Sequence, residues 1–302
     1  LGAGMASDLQ YWERTARHIL RVARGPKIVI EKSTLPVRTA EAMERILNAP
    51  GGAHRFEVLS NPEFLAEGSA VADLEEPDRV LIGHHPTAEG RAAAAELRAL
   101  YGHWVPQERI LLTNVWSSEL TKLTANAFLA QRVSSINAIS ALCERTGANV
   151  DEVARAVGMD HRLGGHFLQA GLGFGGSCFK KDLLNLTYLC EHYGLAEAAH
   201  YWRAVLDVND WQRRRFVQRI VETMFGTLSG KRIAVFGFAF KANTGDTRES
   251  PAQGIVRDLL EERAEVVVSD PQALDNARLD LGDVRERLRF EADPYAAAAG
   301  AD

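Results

Sequence analysis

Short apolar runs alternate with segments of helical length at both ends of this 302-residue chain, and a long helical stretch separates the two ends. Near the N-terminus, apolar runs at 27–30, 56–59 and 79–82 stand between segments whose apolar residues recur every three or four positions. Strands that alternate with helices in this way predict a mostly parallel, doubly wound sheet. The chain is therefore expected to be an α/β protein.

The middle and the last part of the chain have different patterns. From 117 to 145, apolar residues recur at helical spacing without Gly or Pro, which predicts one long helix that connects two parts of the molecule. The strand, helix and strand expected at 231–237, 251–262 and 265–269 predict the start of a second doubly wound domain. We therefore predict three domains: a partial doubly wound domain at 1–115, an all-helical domain at 116–225, and a second partial doubly wound domain at 226–302.

The composition argues against several classes of partner. A net charge of −5 disfavours general nucleic-acid binding. Cys143, Cys178 and Cys190 are odd in number and show no C-x-x-C spacing, so neither a disulfide framework nor a zinc site is indicated, and no metal is predicted. A reducing, cytoplasmic compartment is expected. No apolar run approaches the roughly 20 residues of a membrane span, and no signal peptide is visible.

A glycine-rich loop, GFGGSCFKKD at 173–182, carries Cys178 to the predicted start of a helix. Its glycines let the backbone come close to a ligand, and a helix N-terminus or the neighbouring Lys180 and Lys181 would favour the reactive thiolate. These features are typical of a covalent catalytic site. The residues of the loop leave one alternative open, which is a flexible turn with a buried, inert cysteine.

Polar residues also follow two of the predicted strands, where ligands bind in doubly wound domains. Glu63 and Glu67 are four residues apart, so in a helix both would face one way and could divide acid and base roles. Two surface glutamates would have the same spacing. Ser33 and Thr34 would bind a ligand or cap the helix after Pro36, and capping is the simpler interpretation of these two residues alone.

The predicted long helix contains a polar pair among apolar neighbours. Lys122 and Asn126 are four residues apart, so an ammonium and an amide point in one direction. Such a pair can stabilise a developing oxyanion. A solvated polar stripe along the helix is the alternative.

Six motifs together resemble the UDP-glucose 6-dehydrogenase family, in particular its animal-type members, over nearly the whole chain. In order they are EKSTLPVR (31–38), LSNPEFLAEG (59–68), PDRVLIG (77–83), SSELTKLTANAFLAQR (117–132), GFGGSCFKKD (173–182) and GFAFKANTGDTRES (237–250). Members of that family oxidise the C6 alcohol of UDP-glucose twice with two NAD⁺, through an aldehyde and an enzyme-bound thioester, to UDP-glucuronate. The resemblance implies a Rossmann-like NAD domain, a central helical dimerisation domain and a Rossmann-like UDP-sugar domain, in that order.

The resemblance also implies catalytic roles. Cys178 matches the nucleophile of the family, whose addition to the aldehyde gives a thiohemiacetal and then the thioester. Lys122 and Asn126 match the groups that stabilise the alkoxide and the tetrahedral oxyanions. Proton transfer and activation of the hydrolytic water are implied for three residues, whose division of labour stays open: Asp182, Glu63 and Thr34.

Two sets of binding residues follow from the same resemblance. The positions that match NAD contacts are Ser33, Thr34, Leu35, Glu67, Cys178, Phe179, Lys180, Lys181 and Arg248. The positions that match contacts to the sugar nucleotide are Glu63, Phe64, Leu65, Ala66, Glu67, Lys122, Asn126, Arg162, Gln169, Phe174, Gly175, Phe240 and Lys241. Because Arg162 matches an arginine that reaches the substrate of a neighbouring subunit, a homo-oligomer built from dimers is implied, with a hexamer as one form.

The sequence departs from the family at both ends. It has no strand followed by G-x-G-x-x-G, and Gly2-Ala3-Gly4 is not that turn, so we expect the chain to begin partway through the NAD domain and to end partway through the UDP-sugar domain. Gln169 stands where members often carry Lys. Two further hypotheses are another sugar-nucleotide substrate, such as UDP-N-acetylmannosamine or GDP-mannose, and a non-catalytic subunit that serves as an interaction module.

Overall fold

The computed structural model describes residues 8–52, 54–284 and 286–302, so Gly2-Ala3-Gly4 lies outside the described residues. The chain divides into two compact units. The first comprises Leu1–Ala125 and Leu184–Ala199, and the second comprises Asn126–Leu183 and His200–Asp302. The division into three domains stays a prediction.

The first unit contains a four-stranded sheet in the order β1-β2-β3-β4. The pairs β1–β2 and β3–β4 are parallel, whereas β2 and β3 meet in antiparallel fashion at Ser60 and Gly83. The sheet is therefore mostly parallel, as predicted. Its elements are α1 (Gln10–Val22), β1 (Lys27–Glu31), α2 (Thr39–Leu47), β2 (Phe56–Ser60), α3 (Ala70–Glu75), β3 (Val80–His84), α4 (Ala88–Tyr101) and β4 (Ile110–Asn114).

Helices cover both faces of this sheet. Phe56 and Val58 of β2 pack in a buried cluster with residues of α1 and α2, whereas Leu59 packs with Ile82 and Leu97 in a cluster on the side of α4. Successive residues of a strand point to opposite faces, so β2 is buried on both. The sheet is doubly wound, and its core holds the ends of β1 and β2 in place.

Three long helices contribute to both units. They are α5 (Val115–Thr146), α7 (Phe179–His192) and α8 (Ala196–Thr223), and a shorter helix, α6 (Val150–Gly158), lies wholly in the second unit. The predicted long helix at 117–145 is confirmed as α5. Asn149 caps α6, since its Oδ1 accepts hydrogen bonds from two backbone N–H groups at the helix start.

The second unit also contains a parallel sheet in the order β5-β6-β7. Ser250 caps the crossover helix α9, in which Pro251 occupies the first turn, where it needs no hydrogen-bond donor. The elements are β5 (Arg232–Phe236), α9 (Pro251–Glu261), β6 (Glu265–Ser269), α10 (Leu274–Asp280), β7 (Leu288–Phe290) and α11 (Pro294–Ala298). The predicted strand, helix and strand are confirmed, and among the described residues no helix is long and apolar enough to cross a membrane.

Candidate functional site

The carboxyl ends of β1 and β2 form the base of a site in the first unit. Asn61, directly after β2, donates its backbone N–H to the carbonyl of Glu31 at 2.8 Å. Its buried side chain donates to the carbonyl of Leu81 at 2.8 Å and accepts from Lys32 Nζ at 3.0 Å and from Tyr101 Oη at 2.7 Å. This network fixes the two loops that follow the strands, at the edge where doubly wound sheets bind ligands.

The loop after β1 carries Ser33, Thr34 and Leu35 in irregular structure. The interpretation that Ser33 or Thr34 caps the next helix is wrong, because α2 begins at Thr39 and the carboxylate of Glu119 accepts hydrogen bonds from its first N–H groups. The distances from Glu119 to the N atoms of Arg38 and Ala40 are both 2.7 Å. Within the described part of the chain, the Ser33 and Thr34 hydroxyls make no hydrogen bond, which leaves them available to a ligand.

Two buried carboxyl groups stand beneath this loop. Burial raises the pKa of Glu31 to about 7, an effect that the hydrogen bond from Trp12 Nε1 at 2.6 Å opposes and the charge of Glu119 reinforces. Burial also raises the pKa of Glu119 to about 6, against the lowering by the N–H groups at the start of α2. Both groups therefore titrate in the neutral range.

We expect Glu31→Gln to flatten the pH dependence of stability. The pKa of Glu31 is higher in the folded protein than its usual value of 4.5, so the folded state holds the proton more tightly and stability falls as pH rises from 4.5 to about 7. The loss is on the order of 3 kcal/mol. Urea unfolding at pH 5 and pH 8 should show this fall in the wild type and a much smaller one in the variant; parallel curves would contradict it.

Lys122 on α5 lies in a half-enclosed charged cluster. Only 5% of Lys122 is exposed, its Nζ lies 3.6 Å from Glu63 Oε1, and the same ammonium stands 5.4 Å from the centre of the Phe64 ring. The guanidinium carbon of Arg79 lies 3.9 Å from the centre of that ring. Asn126, one turn further along α5, is also buried. The alternative of a solvated polar stripe is therefore wrong for both residues.

The segment from Asn61 to Ala66 is not helical, so the helical alignment considered for Glu63 and Glu67 does not occur. Glu63 is half-buried beside Lys122, and its Oε2 accepts a hydrogen bond from Leu65 N at 2.7 Å. Glu67 lies exposed in the following turn. The two glutamates thus differ in burial, and Glu63 is held in the cluster with Lys122.

Cys178 lies in the second unit, directly before the first residue of helix α7. Its carbonyl accepts the hydrogen bond from Asp182 N at 2.9 Å, which closes the first turn of the helix. The residue is exposed, so the alternative of a buried, inert cysteine is wrong for it, although that description fits Cys143. A helix N-terminus favours a negatively charged group, and this position suits a thiolate nucleophile.

Asp182, one turn into α7, is paired with an amide from α5. Only 1% of Asp182 is exposed, and its Oδ2 accepts a hydrogen bond from Asn126 Nδ2 at 2.5 Å. Lys181 Nζ lies 3.6 Å from Oδ1. A buried carboxylate that an amide and an ammonium both approach can hold or accept a proton in a fixed place.

The glycines of the loop before Cys178 contact protein. A Cβ on Gly175 would lie 2.6 Å from the carbonyl of Glu249, and one on Gly176 would lie 2.9 Å from the ring of Phe240. Gly176 N also donates to the carbonyl of Arg248 at 2.9 Å. At these two positions, therefore, the segment 240–249 is a close neighbour of the loop, and contact with a ligand stays a prediction.

The other predicted contact residues of the second unit fall into two groups: some pack on or near this loop, and Arg162 and Gln169 are exposed. Phe174 is buried edge-on against Phe179 at 5.7 Å, and Lys180 forms an ion pair with Glu249 at 2.8 Å. Arg248 is paired with Asp246, and Lys241 lies over the Phe240 ring. Arg162 and Gln169 are exposed, and Arg162 is paired with Asp160; among the described residues, neither forms a hydrogen bond or ion pair with another predicted site residue of this unit.

The sequence analysis did not predict several residues that hold the start of α2 and the loop before Cys178 in place. Glu119 stands three residues before Lys122 and joins α5 to the start of α2. Asn137, Asn209 and Gln212 are amides within long helices, and all three hold backbone groups of the loop that leads to Cys178. Polar residues at otherwise apolar helical positions were the available indication, since such groups require partners when buried.

A doubly wound sheet that carries the Ser33 and Thr34 hydroxyls at its carboxyl edge is typical of a nucleotide-binding α/β protein, and the exposed cysteine before a helix is a candidate thiol centre. Models of three domains of the UDP-glucose/GDP-mannose dehydrogenase family match the chain: the NAD binding domain at residues 2–105, the central domain at 116–211 and the UDP binding domain at 234–302.

Individual proteins agree with these matches. The chain is 61% identical over 274 residues to UDP-glucose 6-dehydrogenase 2 of Oryza sativa subsp. japonica, covering 90% of this chain and 57% of that protein. Its structure resembles a UDP-glucose dehydrogenase from Pyrobaculum islandicum, with a TM-score of 0.90 and 39% identity over 99% of this chain and 68% of that one. For a UDP-D-ManNAc dehydrogenase from Pyrococcus horikoshii the TM-score is 0.77, with 30% identity over 89% of this chain and 63% of that one.

The chain belongs to the UDP-glucose/GDP-mannose dehydrogenase family. The resemblance drawn from the six motifs is thereby confirmed at the level of the family. The chain spans 57% to 60% of the length of the curated relatives from Oryza sativa and Arabidopsis thaliana that it matches. These are plant proteins, so the animal-type subgroup stays a prediction.

Proposed function

We propose that the protein is a UDP-glucose 6-dehydrogenase, which oxidises UDP-glucose to UDP-glucuronate with NAD⁺. The observation that carries the proposal is the exposed Cys178 at the N-terminus of α7, on a loop packed against Phe240 and the backbone of 248–249. A thiol in that place explains how a dehydrogenase can oxidise an aldehyde. The aldehyde carbon bears no hydroxyl group, and addition of the thiol creates one on that carbon, from which hydride can then leave.

The residues at the carboxyl edge of the first sheet fit the cofactor. The hydroxyls of Ser33 and Thr34 are unengaged among the described residues, and they follow a strand of a doubly wound sheet, where dinucleotides bind. Leu35 offers an apolar surface beside them. When bound, NAD⁺ accepts the hydride in each of the two oxidations. The match of residues 2–105 to an NAD binding domain supports this assignment.

In the first oxidation, a base removes the proton of the C6 hydroxyl while the hydride leaves C6, and the product is an aldehyde. Lys122, a buried ammonium, is assigned to stabilise the alkoxide. The carboxylates suited to the proton transfer are Glu63, 3.6 Å from Lys122, and Asp182, which Asn126 orients. Thr34 is assigned to position the water that is used later.

In the second oxidation, the Cys178 thiolate adds to the aldehyde carbon and forms a C–S bond, which gives a thiohemiacetal. Loss of the second hydride converts this adduct to a thioester. Water then attacks the thioester carbonyl, the C–S bond breaks, and the products are UDP-glucuronate and the free thiol. Asn126 is assigned to donate a hydrogen bond to the oxyanion in these steps. To do so, its amide group gives up the hydrogen bond that it donates to Asp182.

UDP-glucose is favoured over other sugar nucleotides by the comparisons. The chain is 61% identical to a protein named UDP-glucose 6-dehydrogenase, against 30% to one named UDP-D-ManNAc dehydrogenase. The match of residues 234–302 to the UDP binding domain of this family supports a nucleotide sugar as the substrate. On the motif resemblance, we propose a dimer-based homo-oligomer in which Arg162, exposed in this structure, reaches a partner's substrate. The cysteine pattern favours a reducing, cytoplasmic compartment.

The test is product analysis. We expect the purified product of the complete reading frame to form two NADH and one UDP-glucuronate from each UDP-glucose, and to do so far faster than with UDP-N-acetylmannosamine or GDP-mannose. Absence of both NADH and UDP-glucuronate would overturn the proposal and favour the non-catalytic subunit. Faster turnover of another sugar nucleotide would keep the dehydrogenase and replace its substrate.

A further inference from the structure

The loop at 171–176 has no regular secondary structure, and side chains of α8 and α5 hold its backbone. Asn209 of α8 forms hydrogen bonds with both the backbone N–H and the backbone carbonyl of Phe174. Its Oδ1 accepts from Phe174 N at 2.8 Å, and its Nδ2 donates to the Phe174 carbonyl at 3.1 Å. One amide therefore acts on this residue as a neighbouring strand would.

Two more amides hold the beginning of the loop. Asn137 Oδ1 accepts a hydrogen bond from Gly171 N at 2.8 Å, and Gln212 Nε2 donates to the Gly171 carbonyl at 2.8 Å. Both side chains are buried, and a buried amide is costly to leave without its partner. The loop is thus anchored at Gly171 and again at Phe174.

Gly173 is shaped to admit Asn209. Its φ of +116° is one that residues with a side chain rarely adopt, and a Cβ at this position would lie 2.6 Å from Asn209 Oδ1. Only glycine lets the amide come this close. The pairing of Gly173 with Asn209 explains the first glycine of the motif without any ligand.

The anchored residue connects directly to the thiol. Phe174 is buried and packs edge-on against Phe179, the first residue of α7. Gly175 and Gly176, which follow Phe174, fit against Phe240 with no room for a side chain. A shift of the Phe174 backbone would therefore move both the helix start, where Cys178 stands, and the contact with Phe240.

We infer that Asn209 is a positioning residue, which sets the place of Cys178 and of the adjoining sugar-nucleotide loop without contacting the reacting atoms. The inference rests on the proposed function for its effect on turnover, but not for its effect on the thiol. Aspartate has nearly the same shape as asparagine, but its ionised form offers two acceptors and repels the Phe174 carbonyl. Protonated aspartate regains one donor and one acceptor.

The test compares Asn209→Ala and Asn209→Asp with Asn48→Ala. Asn48 is a matched control, because it makes the same two hydrogen bonds to the Phe56 backbone, both at 2.9 Å, and carries no part of the proposed site. The readouts are the thermal midpoint, the KM for UDP-glucose against kcat, and the rate at which iodoacetamide alkylates Cys178 in nucleotide-free protein. Cys190 in the same digest serves as the internal reference.

We expect similar losses of thermal midpoint in Asn209→Ala and Asn48→Ala. Only the Asn209 variants should raise the KM for UDP-glucose by about tenfold or more and slow the alkylation of Cys178 several-fold. At neutral pH, the alkylation deficit of Asn209→Asp should be at least as large as that of Asn209→Ala, because the ionised carboxylate repels the Phe174 carbonyl.

Three outcomes test the positioning role of Asn209. Alkylation of Cys178 at the wild-type rate in both Asn209 variants would overturn the inference, whether or not the protein oxidises UDP-glucose. Equal alkylation deficits in Asn209→Ala and Asn48→Ala would overturn it as well, since the effect would then follow from general loss of stability. A specific alkylation deficit in a wild-type protein that makes no NADH would support the positioning role and overturn the proposed function alone.

Discussion

The Cys178→Ser variant is expected to form no UDP-glucuronate, with steady-state turnover reduced about a thousandfold or more. The hydroxyl of serine is a far weaker nucleophile than a thiolate, so the aldehyde made in the first oxidation cannot be carried to a thioester. We expect at most one NADH for each UDP-glucose consumed, and either free aldehyde or a trapped sugar adduct. Rapid-mixing measurement of NADH, with mass spectrometry of the intact protein, checks this result.

The matched control for this variant is Cys190→Ser on the same helix. Cys190 is partly buried, and burial with the nearby Glu191 raises the pKa of its thiol, so it is not expected to act as the catalytic nucleophile. We expect its kinetics within about threefold of wild type. Because Cys178 is exposed, its replacement should not change the thermal midpoint. Normal turnover by Cys178→Ser would refute the assignment of the nucleophile.

The main elements of the fold could be predicted because each is long enough to show its own period. Helix α5 extends by only a few residues beyond its predicted range, since neither Gly nor Pro interrupts it. Strand β4 was missed because it runs from Ile110 to Asn114 directly into α5 at Val115, with no turn residue to separate the two. Strand β7 has only three residues, too few for a period of two to appear.

The surroundings of a site residue could be predicted only where they are formed by residues close to it in the sequence. The place of Cys178 at a helix start follows from its own motif, and the structure has it there. The cap of α2 comes instead from Glu119, 79 residues away along the chain, and Phe174 is held by Asn209, 35 residues away. No period or turn pattern encodes such contacts, because they depend on how helices pack.

The glycines of the loop also show what a sequence pattern cannot predict, which is the group that comes close to the backbone. A run of glycines predicts close approach of the backbone to something, and the sequence alone suggested a ligand. In the structure the close neighbours are Asn209, Phe240 and Glu249, which belong to the protein. Shape and rigidity of the loop, and not only space for substrate, thus account for the motif.

The second large effect is expected for Lys122→Ala, which should lower kcat by about a hundredfold to a thousandfold. Lys122 is a buried ammonium beside Glu63 and the Phe64 ring, so its charge acts where water screens it poorly. The variant removes that charge and leaves a space the size of the lost side chain. Steady-state NADH formation from UDP-glucose measures the loss.

Added primary amines separate the chemical role of Lys122 from a structural one. If the ammonium stabilises an oxyanion, ethylamine or propylamine should enter the space in Lys122→Ala and restore part of kcat, with saturation at high amine concentration. The control is Arg79→Ala, which removes the cation 3.9 Å from the Phe64 ring centre but leaves Lys122 in place. Any loss in that variant should not respond to amines. A Lys122→Ala deficit that amines leave unchanged, together with a lowered thermal midpoint, would assign Lys122 to support of the Glu63 and Phe64 segment instead of catalysis.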